Sequence, residues 1–240
     1  MQSPLPILLM TRPRAQAEGV VRALRDKGAR FREVYAPLIG VASTGDMPAQ
    51  EGLDGLIFTS ANGVRLWIAR SGRRDLPCVT VGDATARAAS ESGMEAQSAQ
   101  GDAEALIARM SQERPEGQWL HVHGTHSRGN IAERLSAEGL DVTEAVIYDQ
   151  PEIPPTEEAL TALAGKIPVI APLYSPRTAA LFARLPIKAP LLVAGLSPAV
   201  VKPLSALHIR RQTIASRPDS DAMQTAVLEL LETPGESVDS

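Results

Sequence analysis

Residues 57–67, IFTSANGVRLW, decide the fold when they are set beside residues 172–182, PLYSPRTAALF. In each stretch an apolar run of strand length stops abruptly at small hydroxyl or amide residues, and helical periodicity follows. A strand that turns directly into a helix is the joint of an α/β layer. Two such joints, far apart in the chain, raise the possibility of a repeat.

The match extends outward from these joints. Residues 7–38, ILLMTRPRAQAEGVVRALRDKGARFREVYAPL, parallel residues 119–150, WLHVHGTHSRGNIAERLSAEGLDVTEAVIYDQ. Both run strand, arginine-bearing loop, helix, glycine cap and extended segment, with Leu24 and Gly28 opposite Leu135 and Gly139. VTVGDATARAA (79–89) matches LVAGLSPAVVK (192–202), and GDAEALIARM (101–110) matches DSDAMQTAVL (219–228). The chain reads as two diverged copies of one unit of roughly 115 residues, an internal duplication on the scale of a domain. The alternation of strands and helices predicts an α/β fold with two similar parallel-sheet lobes, flavodoxin- or Rossmann-like, and a cleft between them.

In open α/β sheets, ligands sit outside the carboxyl ends of the strands. Thr59, Ser60, Asn62, Gly82 and Thr85 occupy that position in one copy; Ser175, Arg177 and Ser197 occupy it in the other. Small residues let a ligand approach the backbone, and helix-opening amides are anion donors. The same residues also serve as plain helix caps, and a duplication copies caps as readily as sites. Arg12 and Arg14 follow the first strand, and Arg128 lies in the matching loop. Arginines so placed suit carboxylates or phosphates, which guanidinium binds in bidentate fashion.

Composition narrows the function classes. With 28 acidic and 24 basic side chains the net charge is −4, so no basic footprint points to nucleic acid. Aromatics are 3%, which disfavours a base-stacking platform. No apolar stretch approaches the ~18 residues of a membrane span, and the first residues lack the pattern of a signal peptide. The single cysteine, Cys78, excludes an intramolecular disulfide and fits a reducing compartment. A cytoplasmic, soluble protein is expected. Cys78 reads as a buried structural thiol. His121, His123 and His126 form an H-x-H-x-x-H cluster with no Cys, Asp or Glu at ligand spacing in sequence, so it reads as a strand face plus a polar loop, with no metal. The last residues, TPGESVDS, read as a disordered tail. No dinucleotide, P-loop or nucleophile-elbow motif is present.

TRP after the first strand, then FTSANGV, VGDATA, GDAEAL, VIYDQ and YSPRTA, in that order, resemble uroporphyrinogen-III synthase over nearly the whole chain. The resemblance implies two lobes joined by a two-stranded antiparallel ladder, with residues 1–34 and 153–240 in a discontinuous first lobe, 42–142 in the second, and 35–41 with 143–152 as the ladder. FREVYAPLIG and VTEAVIYDQP would be its strands. It implies closure of hydroxymethylbilane, a linear tetrapyrrole with eight carboxylates, with loss of water and inversion of ring D. No cofactor is implied. The family's recurring tyrosine matches Tyr148, which the resemblance makes the catalytic donor of a proton or hydrogen bond; the alternative is an aromatic that only packs in the ladder. A monomer, with only a transient contact with hydroxymethylbilane synthase, is also implied. The sequence departs from the family pattern at HVHGTHSRGN, where Arg128 is displaced, and at GLSPAV. The competing readings are a non-catalytic two-lobed binding or regulatory protein for a small anionic ligand, and a glycosyltransferase-like enzyme.

Overall fold

A strand buried on both faces needs no polar alternation, and two central strands show this. Every residue of β1 (Ile7–Met10, ILLM) and of β9 (Val169–Leu173, VIAPL) is buried. Such strands belong to parallel sheets covered on both sides. A computed structural model describes residues 4–127 and 129–232. Arg128 and the TPGESVDS segment lie outside the described residues.

In chain order the remaining elements are α1 (Arg14–Asp26), β2 (Arg32–Tyr35), β3 (Ala42–Ser43), β4 (Leu53–Phe58), α2 (Ala61–Ala69), β5 (Cys78–Thr80), α3 (Asp83–Glu91), β6 (Ala96–Ser98), α4 (Ala103–Glu113), β7 (Gln118–Gly124), α5 (Ile131–Ala137), β8 (Asp141–Asp149), α6 (Glu157–Ala164), α7 (Pro176–Phe182), β10 (Leu191–Gly195), α8 (Pro198–Val201), β11 (Arg211–Ile214) and α9 (Ser220–Leu231). The chain divides into two compact units. One combines the segment up to Gly40 with the segment from Glu152 onward; the other spans Val41–Pro151.

The first unit holds an all-parallel sheet in the order β11-β10-β9-β1-β2. One face packs on α6 and α7 through Ala159, Leu163, Ala179 and Phe182. The other packs on α1 and α9 through Val21, Leu24, Met223 and Val227. The α1 stripe follows from apolar residues at Ala17, Val20, Val21 and Leu24, one helical face. Removing the fully buried Leu24 side chain would cost about 2–5 kcal/mol. The helix stops at Gly28, whose φ of 83° is left-handed; Gly139 ends α5 in the same way at 88°.

The second unit holds a mixed sheet in the order β3-β8-β7-β4-β5-β6. Its helices divide by face: α2 and α3 cover Leu56, Phe58 and Leu120 with Val64, Trp67 and Ala89, while α4 and α5 cover Ile57 and Trp119 with Leu106, Met110 and Leu135. Read as β6-β5-β4-β7-β8, its parallel strands follow the order β11-β10-β9-β1-β2 of the first unit.

The ladder is a correction. Residues 32–35 are not in it but run parallel to β1, and most of β8 runs parallel to β7. Among the described residues antiparallel pairing is confined to Ala42 with Asp149, Ser43 with Tyr148, and an isolated bridge between Ile39 and Glu152. Parallel pairing buries Val34 completely, and Pro37 and Pro151 have no N–H to offer a longer antiparallel run. Among the described residues no helix is long and apolar enough to cross a membrane.

Candidate functional site

In the second unit the carboxyl ends of neighbouring strands carry Ser60 after β4, Gly82 after β5, Gly124 at the end of β7 and Tyr148 near the end of β8. Ser60 takes extended backbone angles and its hydroxyl accepts from the Asn62 N–H at 3.2 Å, which starts α2. The Asn62 carboxamide in turn accepts from Arg65 at 3.4 Å. Gly82 starts α3 without a side-chain cap, and Thr85, in the first turn, is buried.

Tyr148 is the best-defined of these groups. Its ring lies where a Cβ on Gly124 would fall, 2.4 Å from the nearest ring carbon, and 3.7 Å from a Cβ on Gly63. The ring therefore rests on two glycines, a close approach no larger residue at 124 allows. Burial is the main influence on the phenol and pushes its pKa up; hydrogen bonding with Ser60 and with the Gly124 backbone pulls partly the other way. The phenol thus stays protonated at neutral pH and is a donor. The backbone beside it is fixed: the Thr125 N–H donates to the Tyr148 carbonyl at 3.0 Å, and the Thr125 hydroxyl donates to Asp149. Arg70, near the end of α2, donates to the carbonyls of Thr44, Gly45 and Ile147, tying down the short antiparallel pairing around Tyr148.

In the first unit the corresponding ends carry Arg12 after β1, Ser175 after β9 and Ser197 after β10. Arg12 donates twice to Gln16, at 3.3 and 3.0 Å, and its guanidinium sits 4.0 Å from the centre of the Tyr174 ring. That stacking orients the cation without neutralising it. Burial raises the Tyr174 pKa, while Arg12 lowers it in part. Arg14 differs: it stands 4.6 Å over Tyr35 but already pairs with Glu18 at 2.9 Å, at an exposed position. Arg12 is the better placed of the two for an incoming carboxylate. Ser175 caps α7 by accepting from the Thr178 N–H at 3.1 Å, with Arg177 in the first turn. Ser197 starts the short α8 with no side-chain cap.

Cys78 is buried, and desolvation pushes its thiol up to about 12, so it is no nucleophile. The histidine reading needs correction. His121 and His123 do share a face of β7, stacked at 4.5 Å, but β8 brings Glu144 alongside, with its carboxylate 3.4 Å from His123 Nε2. That carboxylate comes from a different strand, so no local spacing announces it. Burial, and then His123, hold the His121 pKa down to about 3. Among the described residues neither ring nitrogen of His121 has a hydrogen-bond partner, a costly state of about 1–3 kcal/mol per buried polar atom. Sequence reading also missed Gly63, Gly124 and Thr125, whose part lies in their contacts with Tyr148.

Solved structures share the fold of the chain. The crystal structure of uroporphyrinogen-III synthetase from Helicobacter pylori 26695 is similar to the chain, with a TM-score of 0.68 at 15% identity, over 94% of this chain and 100% of that one. A mutant uroporphyrinogen III synthase from the extremely thermophilic bacterium Thermus thermophilus aligns with 94% of this chain and 99% of its own, at 15% identity and a TM-score of 0.47. No curated protein matches the chain. The family described as Uroporphyrinogen-III synthase HemD matches residues 18–225, a span that takes in the second sheet, the first sheet apart from β1, and the tyrosine held on its two glycines, and the chain belongs to that family.

Proposed function

We propose that this chain closes hydroxymethylbilane to uroporphyrinogen III, acting as a hydro-lyase that expels the terminal hydroxyl as water and inverts ring D. Membership of the synthase family makes it an enzyme of tetrapyrrole and haem biosynthesis. The observation that carries the residue-level reading is Tyr148: a protonated phenol, held on Gly124 and Gly63, at the carboxyl edge of the parallel strands of the second sheet.

In this reading the phenol hydrogen-bonds to the departing hydroxyl and passes it a proton. The pyrrole nitrogen supplies the electron pair that breaks the C–O bond, leaving water and an azafulvenium cation. The substituted carbon of ring D attacks, a spiro intermediate forms, fragments and recloses inverted, and the proton lost on rearomatisation returns to the phenolate. The substrate is intrinsically reactive, so orientation outweighs acid–base groups in number. Thr59, Asn62, Gly82 and Thr85 shape the edge around Tyr148. Arg12 leads, with Arg14, Arg177, Ser175 and Ser197, in holding the substrate's carboxylates. No cofactor takes part in these steps.

The corresponding strand orders support an origin by internal duplication, with a discontinuous first domain and a continuous second. We assign a cytoplasmic monomer that meets hydroxymethylbilane synthase transiently. The test is the product isomer. Hydroxymethylbilane, generated freshly by its synthase, is incubated with and without this chain, and the oxidised uroporphyrins are separated. Isomer III in the presence of the chain is the expected result. Isomer I in both, with the protein folded, would make it a binding protein instead.

A further inference from the structure

We propose that His121, His123 and Glu144 bind one divalent transition-metal ion of the zinc class, clasping β7 to β8. This inference is independent of the cyclisation reading. His121 stands opposite Glu144 in the parallel register, and His123 lies two residues on, on the same face. One ligand atom from each of the three falls within 4.8 Å of the others. Two ligands bound to a tetrahedral ion at about 2.0–2.1 Å stand roughly 3.4 Å apart. His123 Nε2 and the Glu144 carboxylate are separated by 3.4 Å.

The protonation pattern supports a cation there. His123 Nδ1 lies 2.8 Å from the Gly124 carbonyl, which can only accept, so Nδ1 carries a proton. In the neutral ring Nε2 is then a lone pair aimed at a carboxylate, which is repulsive unless a positive charge lies between. A proton would satisfy His123 and Glu144. It would leave both nitrogens of His121 unpartnered, in a side chain only 1% exposed. A metal ion satisfies all three groups, and the Gly124 carbonyl orients one ligand as outer partners of metal-bound histidines do. Two imidazoles and a carboxylate suit zinc, cobalt or nickel rather than magnesium or calcium. Glu144 is well exposed, so a fourth position would open to water.

The test uses untagged full-length protein, stripped by chelator and titrated with Co²⁺, read by visible d–d absorption and by thermal stability. Wild type is expected to bind one equivalent, show d–d bands displaced by Zn²⁺, and gain melting temperature. Glu144→Gln changes an exposed side chain and keeps the fold. It should weaken binding by at least the roughly tenfold seen when an outer partner of a ligand is lost. His123→Ala, shown folded by circular dichroism, should lose the bands. Absence of binding by folded wild type would overturn the proposal, as would unchanged bands and affinity in Glu144→Gln or in folded His123→Ala.

Discussion

The two units run their parallel strands in the same order, yet the carboxyl edges differ in chemistry. At the edge of the first, Arg12 stacks on Tyr174 and holds a positive charge in place. At the edge of the second, the phenol rests on glycine beside Ser60, Asn62 and Gly82, and the charged neighbours Asp83 and Asp149 are acidic. One backbone plan therefore carries a cationic edge suited to holding an anion and an edge built around a protonated phenol suited to donating a proton. The difference arises from side chains at strand ends, where the sheet does not dictate them.

The largest effect comes from a pair of glycines. A Cβ at Gly124 would lie 2.4 Å from the Tyr148 ring, and one at Gly195 would lie 2.3 Å from Val201. Gly124→Ala and Gly195→Ala should each lower stability by about 1–3 kcal/mol in urea unfolding. Only Gly124→Ala should also lower the turnover of folded protein, on the order of 10²-fold, because it displaces the phenol. Equal turnover in the two variants would break the contrast.

Next is the charge at the other edge. Arg12→Gln should raise KM about tenfold or more, the worth of a hydrogen bond to a charged group, with kcat little changed. Arg14→Gln should do less, since Glu18 already occupies that guanidinium. Steady-state kinetics separate the two.

Two serine caps sharpen the comparison further. Ser60→Ala and Ser175→Ala each remove a cap on a helix amide, at about 1 kcal/mol by thermal unfolding. Only Ser60→Ala should also lower kcat, because Ser60 lowers the pKa of the Tyr148 phenol that burial raises.

The smallest effect is in alkali. The Tyr148 pKa is raised in the folded state, while the unfolded phenol ionises near ~10. Above that pH the unfolded chain holds fewer protons, so stability falls as pH rises. Tyr35 and Tyr174 are raised as well and should contribute in the same sense. Tyr148→Phe should make the fall of stability with pH shallower, measured by unfolding across alkaline pH.

Much of this was legible in the sequence. The strand–helix alternation is local: apolar runs such as Leu53–Phe58, caps such as Asp102, which accepts from the Ala105 N–H, and the glycine stops at Gly28 and Gly139 follow from nearby residues. The ladder was drawn too long because pairing direction depends on which strand lies alongside, and Val34 gains more burial beside β1. Glu144 was missed for the same reason, since register with β7 brings it to His123. Tyr148 was found through its motif, but the two glycines beneath its ring became visible only once three strand ends met.

The division between a holding edge and a reacting edge is tested most directly by Tyr148→Phe, assayed with freshly generated hydroxymethylbilane and isomer-resolved product. The account predicts that kcat falls by on the order of 10²-fold or more, with KM near wild type and the protein folded. Wild-type turnover to isomer III by that variant would contradict it.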